Sequence, residues 1–333
     1  MKPNQNMSTI TLKKIASMLN LSISTVSRAL KDHPDISKHT IKRVKEISES
    51  LEYAPNANAI HLKTQNSRLF TVLVPSLSTF YYDSFIAGIE EECRKDNYTL
   101  MILQNADDID IEKANLKLCR HNRVSGIFAC MNPENEDFQE YYKVLDNNIP
   151  LLFYDKVPEN VQFNKISIDD TEAGRLAASA IKKKKGKNVL AIFGNAKMSI
   201  TNRRHIAFKE IMEQSNIAVT YVHAHSSKEA EALACQYLEQ KKIDSIMCMS
   251  DEILIGAMLG IQKLEHHFKK PINIVCMSEG FFPTLYYHDI AYVETSGYQL
   301  AKKAYETMHT IIKEKEAPKE FMVTPNIIEQ KKS

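Results

Sequence analysis

TLKKIASMLNLSISTVSRAL, residues 11–30, is the stretch from which the amino-terminal part of this chain is read. Leu12, Ile15, Ala16 and Leu19 recur at i, i+3, i+4 and i+7, the apolar stripe of one short helix. Thr11 stands where a hydroxyl can cap that helix. Asn20-Leu21-Ser22 breaks the period with polar turn formers around a single leucine. A second short helix is expected from about Ile23 to Leu30, with Val26, Ala29 and Leu30 on one face and Ser24, Thr25, Ser27 and Arg28 turned away from it. A third is expected from about His39 to Leu51, capped by Ser37, with Ile41, Val44, Ile47 and Leu51 as its apolar edge. Three short helices, the first two joined by a three-residue turn, describe a helix-turn-helix, whose second helix lies in the DNA major groove. Its outward face should then be short, polar and hydrogen-bonding. Arg28 can bond a guanine edge through two N–H groups, while Ser24, Thr25 and Ser27 can bond bases or phosphates. Ile23 has two readings, contact with a thymine methyl or packing against the turn. The competing reading of the whole segment is a plain three-helix bundle with a polar face.

Charge divides the chain in the same place. The 333 residues carry a formal +2, but residues 1–66 hold ten Lys/Arg against five Asp/Glu, and the remainder holds 33 against 36. A basic head on a nearly neutral body is a cue for a nucleic-acid partner.

The string Leu21-Ser22-Ile23-Ser24-Thr25-Val26-Ser27-Arg28-Ala29-Leu30, with Thr11 to Ala16 before it, resembles the head of the lactose repressor (LacI/GalR) family of bacterial transcription regulators. The match continues through Ile36-Ser37, Thr40, Arg43-Val44 and Leu51 to Asn56, and ends at Ala59 to Thr64. The resemblance implies roles position by position. Ile23, Ser24 and Arg28 match positions that read major-groove bases, and Thr11, Thr25 and Asn56 match phosphate contacts; Ser27 and Ala59 complete the expected DNA-binding set. Asn56 to Lys63 matches a hinge that becomes helical on operator DNA, with Leu62 as the wedge entering the central base step and Lys63 as its polar neighbour. A leucine wedge unstacks a step and kinks the duplex, which opens the minor groove to a pair of helices. The organisation expected is a DNA-binding domain at 8–55, a hinge and linker at 56–67, and an effector-binding and dimerisation domain at 68–333.

Beyond residue 67, apolar runs such as Leu69–Val74, Gly126–Met131, Pro150–Tyr154, Val189–Phe193, Ser245–Met249 and Ile272–Cys276 alternate with helical patterns. Continuous apolar strands separated by amphipathic helices indicate parallel sheets covered on both faces. Ten such strands are many for one sheet, so the fold class expected is an all-α head followed by two doubly wound α/β lobes, with ligands at the carboxyl ends of the strands. The resemblance extends over this body and implies a sensor of periplasmic-binding-protein type: one lobe at about 68–168 and 297–319, the other at about 169–296 and 320–333.

The same resemblance implies an effector pocket. Tyr81 and Tyr82 follow the first strand, where stacking aromatics are expected; core packing is the competing reading. Arg204 matches an arginine that grips a sugar hydroxyl or an effector carboxylate, against the alternative of a surface helix charge. Asp155, Asp251, Ser278 and Glu279 complete the set. Aromatic faces stack on a sugar ring, and Arg and Asp bond its hydroxyls. The sequence departs from the family at Thr79-Phe80 (usually Asn-Pro), at Cys276 to Glu279 (usually Gly-Phe-Asp-Asp) and at Thr295-Ser296 (usually Gln-Pro). These changes leave the effector class open. The partners expected are a palindromic operator, a small molecule of carbohydrate type and a second copy of the chain, since one head covers only a half-site. Repressor is the expectation by family precedent, with activator as the alternative; the sign of the effector is open.

Other classes fit poorly. None of the nine glycines forms GxGxxG or GxxxxGK[ST], and no Gly-x-Ser-x-Gly elbow occurs. Asp169-Asp170 and Ser250-Asp251 are candidate catalytic carboxylates, but no nucleophile or base is placed beside them. No enzyme, cofactor or metal site is therefore expected. The six cysteines lack any CxxC spacing and read as buried small hydrophobes of a cytoplasmic protein. No apolar run reaches the roughly 18 residues of a membrane span.

Overall fold

The computed structural model describes residues 10–51, 53, 67–159, 161–240, 242–264, 266, 270–286, 288–314 and 317–329. It divides into two compact units, 1–67 and 68–333.

The first unit holds α1 (Leu12–Leu19), α2 (Ile23–Ala29) and α3 (Lys38–Ser50). Each begins at a hydroxyl residue in extended conformation. The side chains of Thr11, Ser22 and Ser37 accept from the backbone N–H groups of Lys14 (3.3 Å), Thr25 (3.0 Å) and Thr40 (3.2 Å), which satisfies donors left over at a helix start. Asn20 closes α1 in the left-handed conformation (φ 56°), one that Asn tolerates better than most residues. Ile15, Ala16, Leu19, Val26, Ala29 and Val44 form the core, flanked by half-buried Leu21, Ile41, Ile47 and Leu51.

The second unit is two six-stranded sheets with the same winding. The first sheet has the order β2–β1–β3–β4–β5–β11 and is parallel throughout. Its strands are β1 (Leu69–Val74), β2 (Thr99–Gln104), β3 (Gly126–Ala129), β4 (Leu151–Tyr154), β5 (Asn164–Ile168) and β11 (Glu320–Val323). The second has the order β7–β6–β8–β9–β10–β12, with only β12 antiparallel. It comprises β6 (Asn188–Phe193), β7 (Ala218–His223), β8 (Ser245–Cys248), β9 (Asn273–Ser278), β10 (Ile290–Glu294) and β12 (Asn326–Glu329). Helices α4 (Phe80–Lys95), α5 (Ile109–His121), α6 (Gln139–Asp146) and α11 (Gly297–Glu314) cover the first sheet, and α7 (Asp170–Lys183), α8 (Ser199–Gln214), α9 (Ser227–Gln240) and α10 (Asp251–Lys263) the second.

Strand β1 shows why its sequence is apolar without alternation. Phe70, Val72 and Val74 pack beneath α4 and α11, while Leu73 points into the opposite cluster beneath α5 and α6. A strand sandwiched between helix layers has no solvent face. Tyr154 of β4 stacks on Phe85 of α4 with ring centroids 3.8 Å apart.

The chain passes between lobes three times: after β5, after β10 and after β11. The expected return to the second lobe at residue 320 is corrected here, because Glu320 to Val323 pair with Lys165 to Ile168 in the first sheet and the crossing follows Val323. Four-residue edge strands with partly exposed side chains carry too little apolar signal to be placed from sequence. The first helix of the sensor begins at Phe80, so Tyr81 and Tyr82 sit in a helical first turn.

Gly256 marks a close helix contact within one subunit. A Cβ there would lie 2.1 Å from the Ser227 carbonyl oxygen and 2.7 Å from the Ala230 side chain, so this glycine serves α9–α10 packing. Gly256→Ala is expected to lower unfolding free energy by about 1–3 kcal/mol through overpacking. Urea titration with an unchanged midpoint would show that α9 can move aside.

Candidate functional site

Two regions gather the residues singled out above. In the first unit, Thr11, Ile23, Ser24 and Arg28 are exposed and Thr25 and Ser27 half-buried, while Val26 and Ala29 of the same helix are buried. The helix is thus held by its apolar face and offers its polar one. Ile23 is 49% exposed, so packing against the turn does not absorb it. Ser22 hydrogen-bonds the hydroxyls of both Ser24 (2.7 Å) and Thr25 (2.8 Å), which orients two of the outward groups. Arg28 makes only a long ion pair with Asp35 (3.9 Å), both largely exposed; such a pair contributes little and leaves the guanidinium available. Asn56, Ala59, Leu62 and Lys63 lie outside the described residues.

In the sensor, a cleft of about 760 Å³ opens at the carboxyl ends of the strands of both sheets, the position where doubly wound folds bind ligands. Tyr81, Tyr82, Asp155, Arg204, Asp251 and Glu279 all line it. Ser278 does not: it is buried, and its hydroxyl donates to the Asp251 carboxylate and accepts from the Gly280 N–H (2.9 Å).

The first lobe contributes an aromatic wall. Asp155 follows β4 in the left-handed conformation (φ 58°), which turns its carboxylate toward α4. There the Tyr82 hydroxyl donates to Asp155 Oδ2 at 2.8 Å. Burial and then the Asp155 charge push the Tyr82 hydroxyl well above the ordinary tyrosine range. Tyr82 is buried in the core, so packing accounts for most of its ring. Tyr81 differs. Its ring meets Tyr82 edge-on at 5.5 Å, and its buried hydroxyl has no hydrogen-bond partner among the described residues. Burial, then Asp155 and Glu279, raise its pKa, and Arg204 acts in the other direction.

The second lobe contributes the polar floor. Arg204 of α8 is only 8% exposed, which removes the surface-charge reading. Its Nε donates to Asp170 Oδ1 (2.8 Å) and a terminal nitrogen donates to the Met249 carbonyl (3.2 Å). Gly174 permits this: a Cβ on it would stand 2.5 Å from the Arg204 carbonyl oxygen, so α7 and α8 approach closely enough for the pair to form. Burial raises the Asp170 pKa while Arg204 opposes the shift. Asp251, in the first turn of α10, accepts from Ser278 and from the Glu279 N–H (2.9 Å). Glu279 reaches into the other lobe, where its carboxylate accepts from Ser84 Oγ of α4 (2.9 Å), Ser296 Oγ (3.5 Å) and the Gly297 N–H at the start of α11. Burial pushes Glu279 up to about 7, against the lowering effect of these hydrogen bonds.

Further contacts tie the lobes together. Phe80 meets Phe282 edge-on at 4.5 Å, Lys197 pairs with Glu134 (3.3 Å) and Arg203 with Glu320 (3.8 Å). Sequence reading missed Ser84, Thr201 and the role of Asp170. Asp170 stood out as a carboxylate, but its partner lies 34 positions along the chain and no local pattern announces it. Among the described residues no three His, Cys, Asp or Glu gather as metal ligands, and no helix is long and apolar enough to cross a membrane. Five of the six cysteines are buried and all are unpaired.

Comparison with known proteins agrees with both regions. Residues 11–56 match the family described as bacterial regulatory proteins, lacI family, and residues 70–316 match the periplasmic binding protein domain. The transcriptional regulator RegA of Clostridium saccharobutylicum is 23% identical, with 92% of this chain and 93% of that protein covered. The ribose operon repressor of Haemophilus influenzae is 26% identical over 80% of each chain. The Lac repressor dimer bound to operator and the anti-inducer ONPF superposes with a TM-score of 0.84 at 18% identity, covering 96% of this chain and 98% of that one. The chain belongs to the lacI family of bacterial regulatory proteins, DNA-binding transcriptional regulators in which a helix-turn-helix head precedes a two-lobed periplasmic-binding-protein-like sensor.

Proposed function

We propose that this protein is a cytoplasmic repressor that binds a palindromic operator as a homodimer and is controlled by a small molecule of carbohydrate type held between the sensor lobes. Residues 8–55 read DNA, 56–67 form the hinge and 68–333 sense the effector. The observation that carries this reading is the pairing, in one chain, of a helix that buries its apolar face and turns its polar one outward with a large cleft whose walls come from two lobes.

On the DNA side, Ile23, Ser24 and Arg28 read bases and Thr11, Thr25, Ser27 and Asn56 hold phosphates, with Ala59, Leu62 and Lys63 acting from the minor groove. On the sensor side, Tyr81 stacks on the ligand, Arg204, Asp155 and Asp251 bond it, and Ser278 acts by holding Asp251. Glu279 touches both the cleft and the other lobe, so a ligand that draws on its carboxylate changes what holds the lobes together. A difference in lobe angle that favours one DNA-binding state is what allosteric coupling requires, and it acts reciprocally. Leu77, Phe80, Phe281 and Leu285 are each more than half exposed on the sensor, apolar surface that a second copy would cover.

Selection of bound sequences from random duplex DNA at fixed salt tests the reading. A two-fold symmetric site is the expected product, and only sequence-blind, steeply salt-dependent binding, with and without a metabolite pool, would overturn it. On the selected site, Arg28→Ala is expected to relax discrimination at one base pair per half-site by about 1–3 kcal/mol. An unchanged base preference in the same competition assay would remove Arg28 from the reading set.

A further inference from the structure

The geometry points to an effector that carries a positively charged amino group on a hydroxylated frame, an amino sugar or amino polyol. This rests on the cleft being the effector site.

Charge is the first argument. Asp155, Asp251 and Glu279 all face the cleft. Their partners among the described residues are neutral donors: the Tyr82 hydroxyl and Cys130 thiol, the Ser278 hydroxyl and Glu279 N–H, and the Ser84, Ser296 and Gly297 groups respectively. None of the three is in an ion pair among the described residues. The two cations of the lining are already engaged, Arg204 with Asp170 (2.8 Å) and Lys156 with Asp107 (3.5 Å). The cleft therefore gathers three carboxyl groups with no uncommitted Arg or Lys among the described residues beside them, where a buried charge is costly without a partner and a ligand cation would favour their ionised form.

A phosphorylated ligand is disfavoured here. The amino terminus of α11 is occupied by Glu279, and that of α10 by its Ser250 cap and by Asp251. The amino termini of α4 and α8 also border the cleft and carry no side-chain cap, but the carboxyl groups beside them repel an anion. An ammonium group, in contrast, supplies the missing counter-charge, and the Tyr81 ring beside these carboxylates adds cation–π attraction.

The hydroxylated frame follows from a separate observation. Thr79, Tyr81 and Thr201 line the cleft, and the side-chain oxygen of each is buried without a partner among the described residues. Thr201 is fully buried. Hydroxyls donate and accept, and a ligand bearing hydroxyls pairs with them in either sense. An unpaired buried hydroxyl is otherwise a net cost.

The test uses the full-length protein and matched probes in three sets: glucose, glucosamine and glucose 6-phosphate; the galactose equivalents; and sorbitol, glucamine and sorbitol 6-phosphate. Calorimetric titration is expected to give, in at least one set, an amine that binds roughly tenfold or more tightly than its hydroxyl counterpart, with the phosphate weakest. Asp155→Asn keeps the Tyr82 hydrogen bond and tolerates the left-handed backbone, so its thermal midpoint without ligand should match the wild type. The variant is expected to lose about tenfold of amine affinity and little of the hydroxyl analogue's. A neutral or phosphorylated member that binds best, and is weakened by Arg204→Lys, would leave the effector cleft standing and overturn the amino group. No binding in any set at about 10 mM would count against both.

Discussion

Arg204→Ala is expected to destabilise the sensor by about 3–5 kcal/mol, the cost of leaving one partner of a buried ion pair behind. The remaining partner is Asp170, only 3% exposed and the one carboxylate its guanidinium bonds. Without Arg204, burial is no longer opposed, and Asp170 either ionises at a penalty or takes up a proton. The Met249 carbonyl loses a donor as well. Urea unfolding of the full-length protein at one protein concentration measures the loss, with any contribution from association held fixed. Adding Asp170→Asn to Arg204→Ala is expected to restore part of it, since the uncompensated charge is gone. A single-variant loss below about 1 kcal/mol, comparable with an exposed pair, would show that Asp170 reaches solvent and that the pair does not organise the cleft floor. Effector affinity should fall in both variants, which separates the ligand contact from the stability effect.

Glu279 is expected to make the sensor less stable as pH rises toward neutrality. Its carboxyl titrates at about 7 in the fold against an ordinary value of 4.5, so between those values the native state binds more protons than the unfolded chain. Stability therefore falls from about pH 4.5 to about pH 7 and is level above, by up to about 3 kcal/mol from this group alone at 1.36 kcal/mol per pH unit. Asp251 in the same cleft and Asp170 buried behind Arg204 are also shifted upward by burial, so they add in the same direction. Glu279→Gln removes the titration. The difference in unfolding free energy between variant and wild type should swing in favour of glutamine by about 2–3 kcal/mol from pH 5 to pH 8. Parallel stability curves across that range would mean that the carboxyl is well solvated and that the interlobe contact with Ser84 and Gly297 opens in solution.

The head was legible because every level of its sequence agrees: hydroxyl caps at Thr11, Ser22 and Ser37, a helical apolar period, and a turn closed by Asn20. The central strands were legible because burial on both faces writes itself as uninterrupted apolar residues. What escaped was non-local. β11 and β12 are short edge strands whose place is set by the sheets they join. The first turn of α4 runs Phe80-Tyr81-Tyr82-Asp83, aromatic residues that carry no helical stripe. Arg204 was singled out as a ligand contact, yet its fixed partners are Asp170 and the end of β8. Glu279 was singled out with Ser278 as one acidic-end pair, but the two side chains point to different lobes. In each case the deciding distance joins residues far apart in sequence.

The threefold crossing sets an order on how the protein is made. Within the sensor, strands β1 to β5 are made first, but the helix and strand that finish that sheet, α11 and β11, lie beyond the core of the second lobe, at Gly297–Glu314 and Glu320–Val323. On the ribosome, the lobe begun first must wait with one face of its sheet covered by α4 alone until α11 emerges. The second lobe, by contrast, is contiguous from Asp170 to Glu294 in everything but β12. A nascent chain stopped before residue 297 would thus carry an exposed apolar surface around Phe70, Phe85 and Ile89, which Leu300, Ala301 and Ala304 cover in the finished protein, and the early lobe cannot be lifted out as a contiguous genetic fragment.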